Sequence, residues 1–137
     1  MNKIKYSSDS MKFMTLFESM TGTKVKDCIV NSRIIFIIEE NEMGRAIGKN
    51  GVNIKRMENK LKKKIKLVEY SNNILQFVKN VISPIEALDI KDQDGNITIY
   101  GKDVQTKAML IGRERQTINH LGSIVKRYFD VKSIRVV

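Results

Sequence analysis

Residues 47–54 read Ile47-Gly48-Lys49-Asn50-Gly51-Val52-Asn53-Ile54, a Gly-Lys-Asn-Gly turn that opens into a helical pattern. Neither glycine carries a Cβ, so such a turn lets the backbone come close to whatever lies outside it. A helix that begins there adds unpaired N–H groups and partial positive charge, and Lys49 adds a full one, which together suit an anionic group. Over residues 44–66 nine Lys or Arg face a single acid, Glu58. An ordinary solvated helix mixes both signs, so this imbalance points to a polyanion as partner.

The whole chain has 137 residues and a formal net charge of +10. That charge favours a nucleic acid or an anionic surface over a neutral small molecule. No apolar run approaches the roughly 18 residues of a membrane span, and Met1-Asn2-Lys3-Ile4 lacks the apolar core of a signal peptide, so a cytoplasmic protein without a membrane partner is expected. The single cysteine, Cys28, and the single histidine, His120, cannot form a zinc cluster of the usual spacing. No metal site and no cofactor are expected.

Outward from the turn, hydrophobic periodicity lays out the elements. Phe13, Leu16, Phe17 and Met20 recur at helical spacing over residues 9–21, with Asp9 or Ser10 as cap and Gly22 as stop. Val25 to Val30 and Ile34 to Ile38 read as a hairpin through Asn31-Ser32. The run Ile34-Ile35-Phe36-Ile37-Ile38 is apolar on both sides of the pleat and predicts a central strand. Past the turn, Ile54, Met57 and Leu61 keep helical spacing while Lys55, Arg56, Lys60, Lys62 and Lys63 take the other faces, and Ile65 to Val68 close the unit as a strand. A second set follows: a helix on Ile74, Phe77, Val78 and Val81 ended by Pro84; strands Ala87 to Lys91 and Ile97 to Tyr100 joined by the loop Asp92-Gln93-Asp94-Gly95-Asn96, whose Asp-Gly pair signals a turn; a helix capped by Asp103 carrying Val104, Ala108 and Ile111; a helix with Ile118, Leu121, Val125 and Phe129; and a strand, Ile134 to Val137. Aligning Ile47-Gly48 on Ile111-Gly112, 64 residues apart, also matches Ile54 with Ile118 and Met57 with Leu121. This is an internal duplication, with expected domains at residues 1–70 and 71–137.

Ile-Gly-x-x-Gly-x-x-Ile at residues 47–54 resembles the signature of a KH domain, and the order helix, hairpin, helix, helix, strand resembles its type II form. A tandem of two over the whole chain resembles the short archaeal NusA-like transcription factors. The resemblance implies an α+β fold of two tandem type II KH domains, each a three-stranded mixed sheet with helices packed on one face. It further implies that the glycine loop lies against the backbone of about four unpaired nucleotides, with aliphatic side chains beside it holding bases. Carried onto this sequence, Gly48 and Gly51 permit the close approach, Lys49 and Asn50 meet phosphates, Ile47 and Ile54 line the groove, and Arg45, Lys55 and Arg56 supply further charge. In the second unit Ile111, Gly112, Arg113, Arg115 and Ile118 hold the equivalent places, with core packing an equal reading for Ile54 and Ile118. The second loop departs from the family pattern, since Arg115 stands at the closing glycine and Glu114 brings negative charge.

The implied function is a single-stranded RNA-binding transcription factor that modulates termination or antitermination together with RNA polymerase, acting as a monomer. The alternatives are a KH-type RNA-processing or ribosome-associated protein, or a docking module in which only the first unit binds RNA. Enzymatic function is not expected: the sequence offers no carboxylate pair in a glycine-framed pocket, no nucleophile motif and no metal constellation. Asp89, Asp92 and Asp94 read as turn chemistry, and His120 as a surface or groove-edge residue.

Overall fold

A computed structural model describes residues 8–31 and 33–137; the expectations for Met1-Asn2-Lys3-Ile4 and for Ser32 lie outside them. The chain divides into two compact units, the first ending at Ser71 and the second spanning Asn72–Val137. It is an α+β protein with two three-stranded sheets.

In the first unit α1 (Ser8–Thr21) leads to β1 (Val25–Val30), β2 (Ile34–Ile38), α2 (Met43–Ile47), α3 (Val52–Leu61) and β3 (Ile65–Glu69). The sheet runs β1-β2-β3, antiparallel then parallel, with Ile34 opposite Ile65 and Phe36 opposite Leu67. Every residue of β2 is buried, as its unbroken apolar run requires of a central strand. Alternation turns Ile34, Phe36 and Ile38 toward the helices, where they meet Phe17, Ala46 and Met57. The Phe17 and Phe36 rings stand 4.5 Å apart. Cys28 is buried in this core and is packed as a small apolar residue. Two carboxylates tie helices to strand starts seven residues on: Glu18 accepts from Val25 N–H at 2.8 Å and Glu58 from Ile65 N–H at 3.0 Å. Glu58, the lone acid of the basic stretch, is thus held by the fold.

The second unit repeats the scheme with α4 (Ile74–Ile82), β4 (Asp89–Gln93), β5 (Asn96–Tyr100), α5 (Val104–Ile111), α6 (Gln116–Val125) and β6 (Ser133–Val136), its sheet again antiparallel then parallel. Ile97 and Ile99 of β5 face a core with Phe77, Leu110, Leu121 and Val125, and Phe77 packs edge-on to Tyr128 at 5.5 Å. Asn73 and Asp103 cap α4 and α5 by accepting from the N–H groups of Gln76 and Thr106.

Four sequence expectations are corrected. The α1 helix is already under way at Ser8, so Asp9 and Ser10 are inside it and do not cap it. The α3 helix stops at Leu61; Lys62 turns left-handed (φ 57) and caps it, so Lys62 and Lys63 are not on helix faces. The second hairpin has a two-residue turn, Asp94-Gly95, both at positive φ, and pairs Gln93 with Asn96; backbone hydrogen bonds extend the ladder through polar residues that hydrophobic patterning assigns to the loop. On α5 the stripe Val104, Ala108, Ile111 is not the core face: Thr106 and Leu110 are buried, and Val104 and Ala108 are exposed.

Asp103 supplies a pH signature. The Thr106 backbone N–H bonded to its carboxylate holds it below the ordinary carboxylate range. A folded-state pKa lowered in this way stabilises above the ordinary value and loses that contribution as pH falls through the lowered one. Asp103→Ala is therefore expected to lower the thermal midpoint at neutral pH and to matter less in acid, while Asp103→Asn, also a good cap, removes the pH dependence and keeps most of the stability; thermal melts across the acid range check both.

Candidate nucleic-acid interface

Between α2 and α3 the chain turns through Gly48 (φ 76, ψ 171), a 3-10 turn over Lys49–Gly51, and two successive left-handed residues, Asn50 (φ 57, ψ 27) and Gly51 (φ 72, ψ 21). Asparagine is among the few non-glycine residues that adopt this conformation readily. The turn is closed by Gly48 N–H to Gly44 O at 3.1 Å and Gly51 N–H to Gly48 O at 3.2 Å. No side chain caps α3, so its positive end is left to an external anion.

The two glycines serve different ends, which modifies the expectation that both admit a ligand. A Cβ on Gly48 would meet Asn53 Nδ2 at 2.8 Å and Val52 Cγ1 at 3.0 Å, so this glycine is required from inside the turn. Gly51 would meet nothing within 4 Å; only its positive φ favours glycine, and its Cα side is open to a ligand. Asn53, which sequence reasoning passes over, donates from Nδ2 to Arg45 O at 3.0 Å and ties the first turn of α3 to α2. Only its place two residues past the closing glycine could have signalled it.

Lys49, Asn50, Lys55, Arg56 and Lys60 are exposed around this turn. The acids nearby are engaged: Glu58 at Ile65 N–H, and Glu42 with Arg45 at 3.5 Å. Arg45 also donates to Gly22 O at 3.3 Å, so it is partly committed to the protein. Lys66 sits half-buried in β3, its pKa pushed down first by desolvation and then by Arg33. Ile47 and Ile54 are half-buried beside the loop, each leaving apolar surface outward.

The second loop copies this backbone. Gly112 (φ 78, ψ 168), Glu114 (φ 54, ψ 32) and Arg115 (φ 62, ψ 20) hold the conformations of Gly48, Asn50 and Gly51. Arg115 is therefore a bulky residue in a left-handed position, at a cost of about 1 kcal/mol or more. Gly112 is even more constrained than Gly48, since a Cβ would lie 2.7 Å from Thr117 N. Arg113, Glu114 and Arg115 are exposed, Ile111 is half-buried, and Ile118 is only 4% exposed. Ile118 belongs to the core of its unit, the packing reading left open from sequence.

A glycine turn with a left-handed pair, set between the two helices of a helix-hairpin-helix-helix-strand unit, defines the class, and residues 14–86, more than half of the chain, match the KH domain family. The chain belongs to that family, and within it to the archaeal NusA-like proteins. It is 35% identical to the "Probable transcription termination protein NusA" of Methanococcus vannielii over 98% of this chain and 80% of that protein. A protein of the same name from Halococcus morrhuae is 28% identical over 98% of this chain and 99% of the relative. Among solved structures, the crystal structure of APE1850 matches with a TM-score of 0.76 at 27% identity, covering 96% of this chain and all of the other.

The loop backbones differ in what they ask of their residues, and chemical denaturation reads the difference. Arg115→Gly relieves left-handed strain at some cost in unfolded-state entropy, and is expected to stabilise by up to about 1 kcal/mol. Gly112→Ala, which forces a Cβ against the Thr117 backbone, is expected to cost at least about 2 kcal/mol.

Proposed function

We propose that the chain is a tandem of two KH domains, residues 1–70 and 71–137, that binds single-stranded RNA and acts in transcription termination on nascent transcripts together with RNA polymerase. The observation that carries the RNA reading is the open side of Gly51 within a preformed, uncapped and positively charged turn. Gly51 lets the sugar-phosphate backbone approach, Lys49 and Asn50 meet phosphates, Lys55, Arg56 and Arg45 extend the field, and Ile47 and Ile54 receive unstacked bases. The role in termination rests on the relatives that carry that name.

The identical backbone of the Gly112 to Arg115 loop supports a second RNA contact of different character. A Cβ at Arg115 holds the strand away and Glu114 repels it, so Arg113 and Arg115 reach phosphates with their side chains, and Ile111 offers the apolar contact. The second unit then binds more weakly than the first.

Replacing Lys49 and Asn50 by Asp keeps both glycines, and Asp tolerates the left-handed position that Asn50 holds. RNA affinity is expected to collapse while the thermal midpoint stays put; affinity within about twofold of the parent, ~0.4 kcal/mol, would exclude the first loop as the site. With four to six phosphates in contact, log K is expected to fall against log salt with a slope of roughly −3 to −4, from about 0.7 per phosphate for single strands. Arg113→Ala with Arg115→Ala is expected to weaken binding and make that slope shallower. An unchanged slope would leave RNA to the first unit alone.

A further inference from the structure

The two units share one backbone plan yet differ on the outer face of the helix that enters the loop. The α2 helix has five residues and α5 has eight. With Ile47 matched to Ile111, Val104, Ala108 and Met109 take the places of Glu40, Gly44 and Arg45. At Met109 the fold therefore does not require an apolar residue, since the first unit carries Arg45 there, whereas Glu40 precedes α2 and Val104 stands on a turn of helix that the first unit lacks. In the second unit Val104 is 81% and Met109 50% exposed, and Ala108 is exposed between them. Val104, Ala108 and Ile111 lie at i, i+4 and i+7, a stripe along one side of α5. Leu88, 70% exposed, stands at the sheet end from which α5 departs, its N–H bonded to Tyr100 O.

Single exposed apolar residues are ordinary; Val104, Ala108 and Met109 exposed together on the outer side of one eight-residue helix are not. Its small central residue admits close approach of another helix, and Met109 adapts to irregular surfaces. Charge selects the partner. The stripe is bordered by four cations, exposed Lys102, Arg113 and Arg115 and half-buried Lys107, against two acids, exposed Glu114 and Asp103, the latter engaged in capping α5. RNA offers phosphates and flat bases, for which a convex aliphatic helix face provides little; an acidic amphipathic helix matches both the apolar stripe and its cationic border.

We infer that the outer face of α5, centred on Val104, Ala108 and Met109, is a docking surface for an acidic amphipathic helix of a partner protein. The surface adjoins the second loop, whose Ile111, Arg113 and Arg115 the proposed function gives to RNA, and its three central residues take no part in that contact. Benzoylphenylalanine placed at Gln105 in the full chain, irradiated in a transcribing cell extract, is expected to join to a protein segment that is acidic and amphipathic. A synthetic peptide of that segment is expected to bind the purified chain and to shift amide resonances of α5. Val104→Ser with Met109→Ser, both exposed, compatible with folding and neutral, is expected to weaken that binding about tenfold or more while RNA affinity stays within about twofold. Crosslinks confined to RNA would reassign the face to the nucleic-acid groove, and crosslinks to a second copy of the chain would make it a self-association surface. A peptide unaffected by the double serine variant, or no crosslink at all, would overturn the proposal as directly.

Discussion

Three positive φ values within four residues, at Gly48, Asn50 and Gly51, are the constraint on which each unit depends. The parallel pairing of β2 with β3 needs a crossover that leaves the sheet, runs two helices over its face and returns in register. The left-handed pair is the bend in that crossover. If it relaxed, α3 would no longer set Met57 against Phe36, and β3 would lose its place beside β2. Recurrence of the same angles at Gly112, Glu114 and Arg115 shows that the second unit meets the same requirement with residues less suited to it. Geometry is held where the sheet needs it, and side-chain chemistry is free to vary on top of it.

That separation explains how one chain carries two loops of unlike surface. The first presents Lys49 and Asn50 on an open glycine; the second presents an Arg-Glu-Arg sequence on a backbone nearly identical to it. In both, the glycine that starts the turn is fixed by internal contacts with Asn53 or Thr117. Only the closing position is free on its outer side. A change there alters what the loop can bind with limited damage to the fold, which is how Arg115 persists despite its strain.

Much of this was legible in the sequence because it rests on periodicity. Ile34 to Ile38 announced a central strand, Asp94-Gly95 a tight turn, and the 64-residue interval from Ile47 to Ile111 a repeated unit. What was not legible depends on direction instead of composition. The Val104, Ala108, Ile111 spacing and the Thr106, Leu110 spacing both fit a helix face, and only packing decides that the second points inward. Nor does a sequence tell that Gly48 is needed for the inside of the turn and Gly51 for its outside. Polar Gln93 and Asn96 concealed the length of the second hairpin, since strand pairing at a solvated edge is set by backbone hydrogen bonds.

The side-chain ties to the strands also differ between the units in how far they reach along the chain. In the first, Glu18 and Glu58 grip strand starts only seven residues ahead, beside one long tie from Lys63 to Asn31 O across 32. In the second, Ser133 bonds Asn96 and Arg135 bonds Thr98, each across 37 residues. Short closures cost little chain entropy and form early, whereas long ones wait until most of the unit is assembled. Each sheet is nevertheless completed by a parallel pair distant in sequence, Ile34 with Ile65 and Asn96 with Ser133, so neither unit closes before its own third strand has been synthesised, and the amino-terminal unit can do so while the remainder of the chain is still to come.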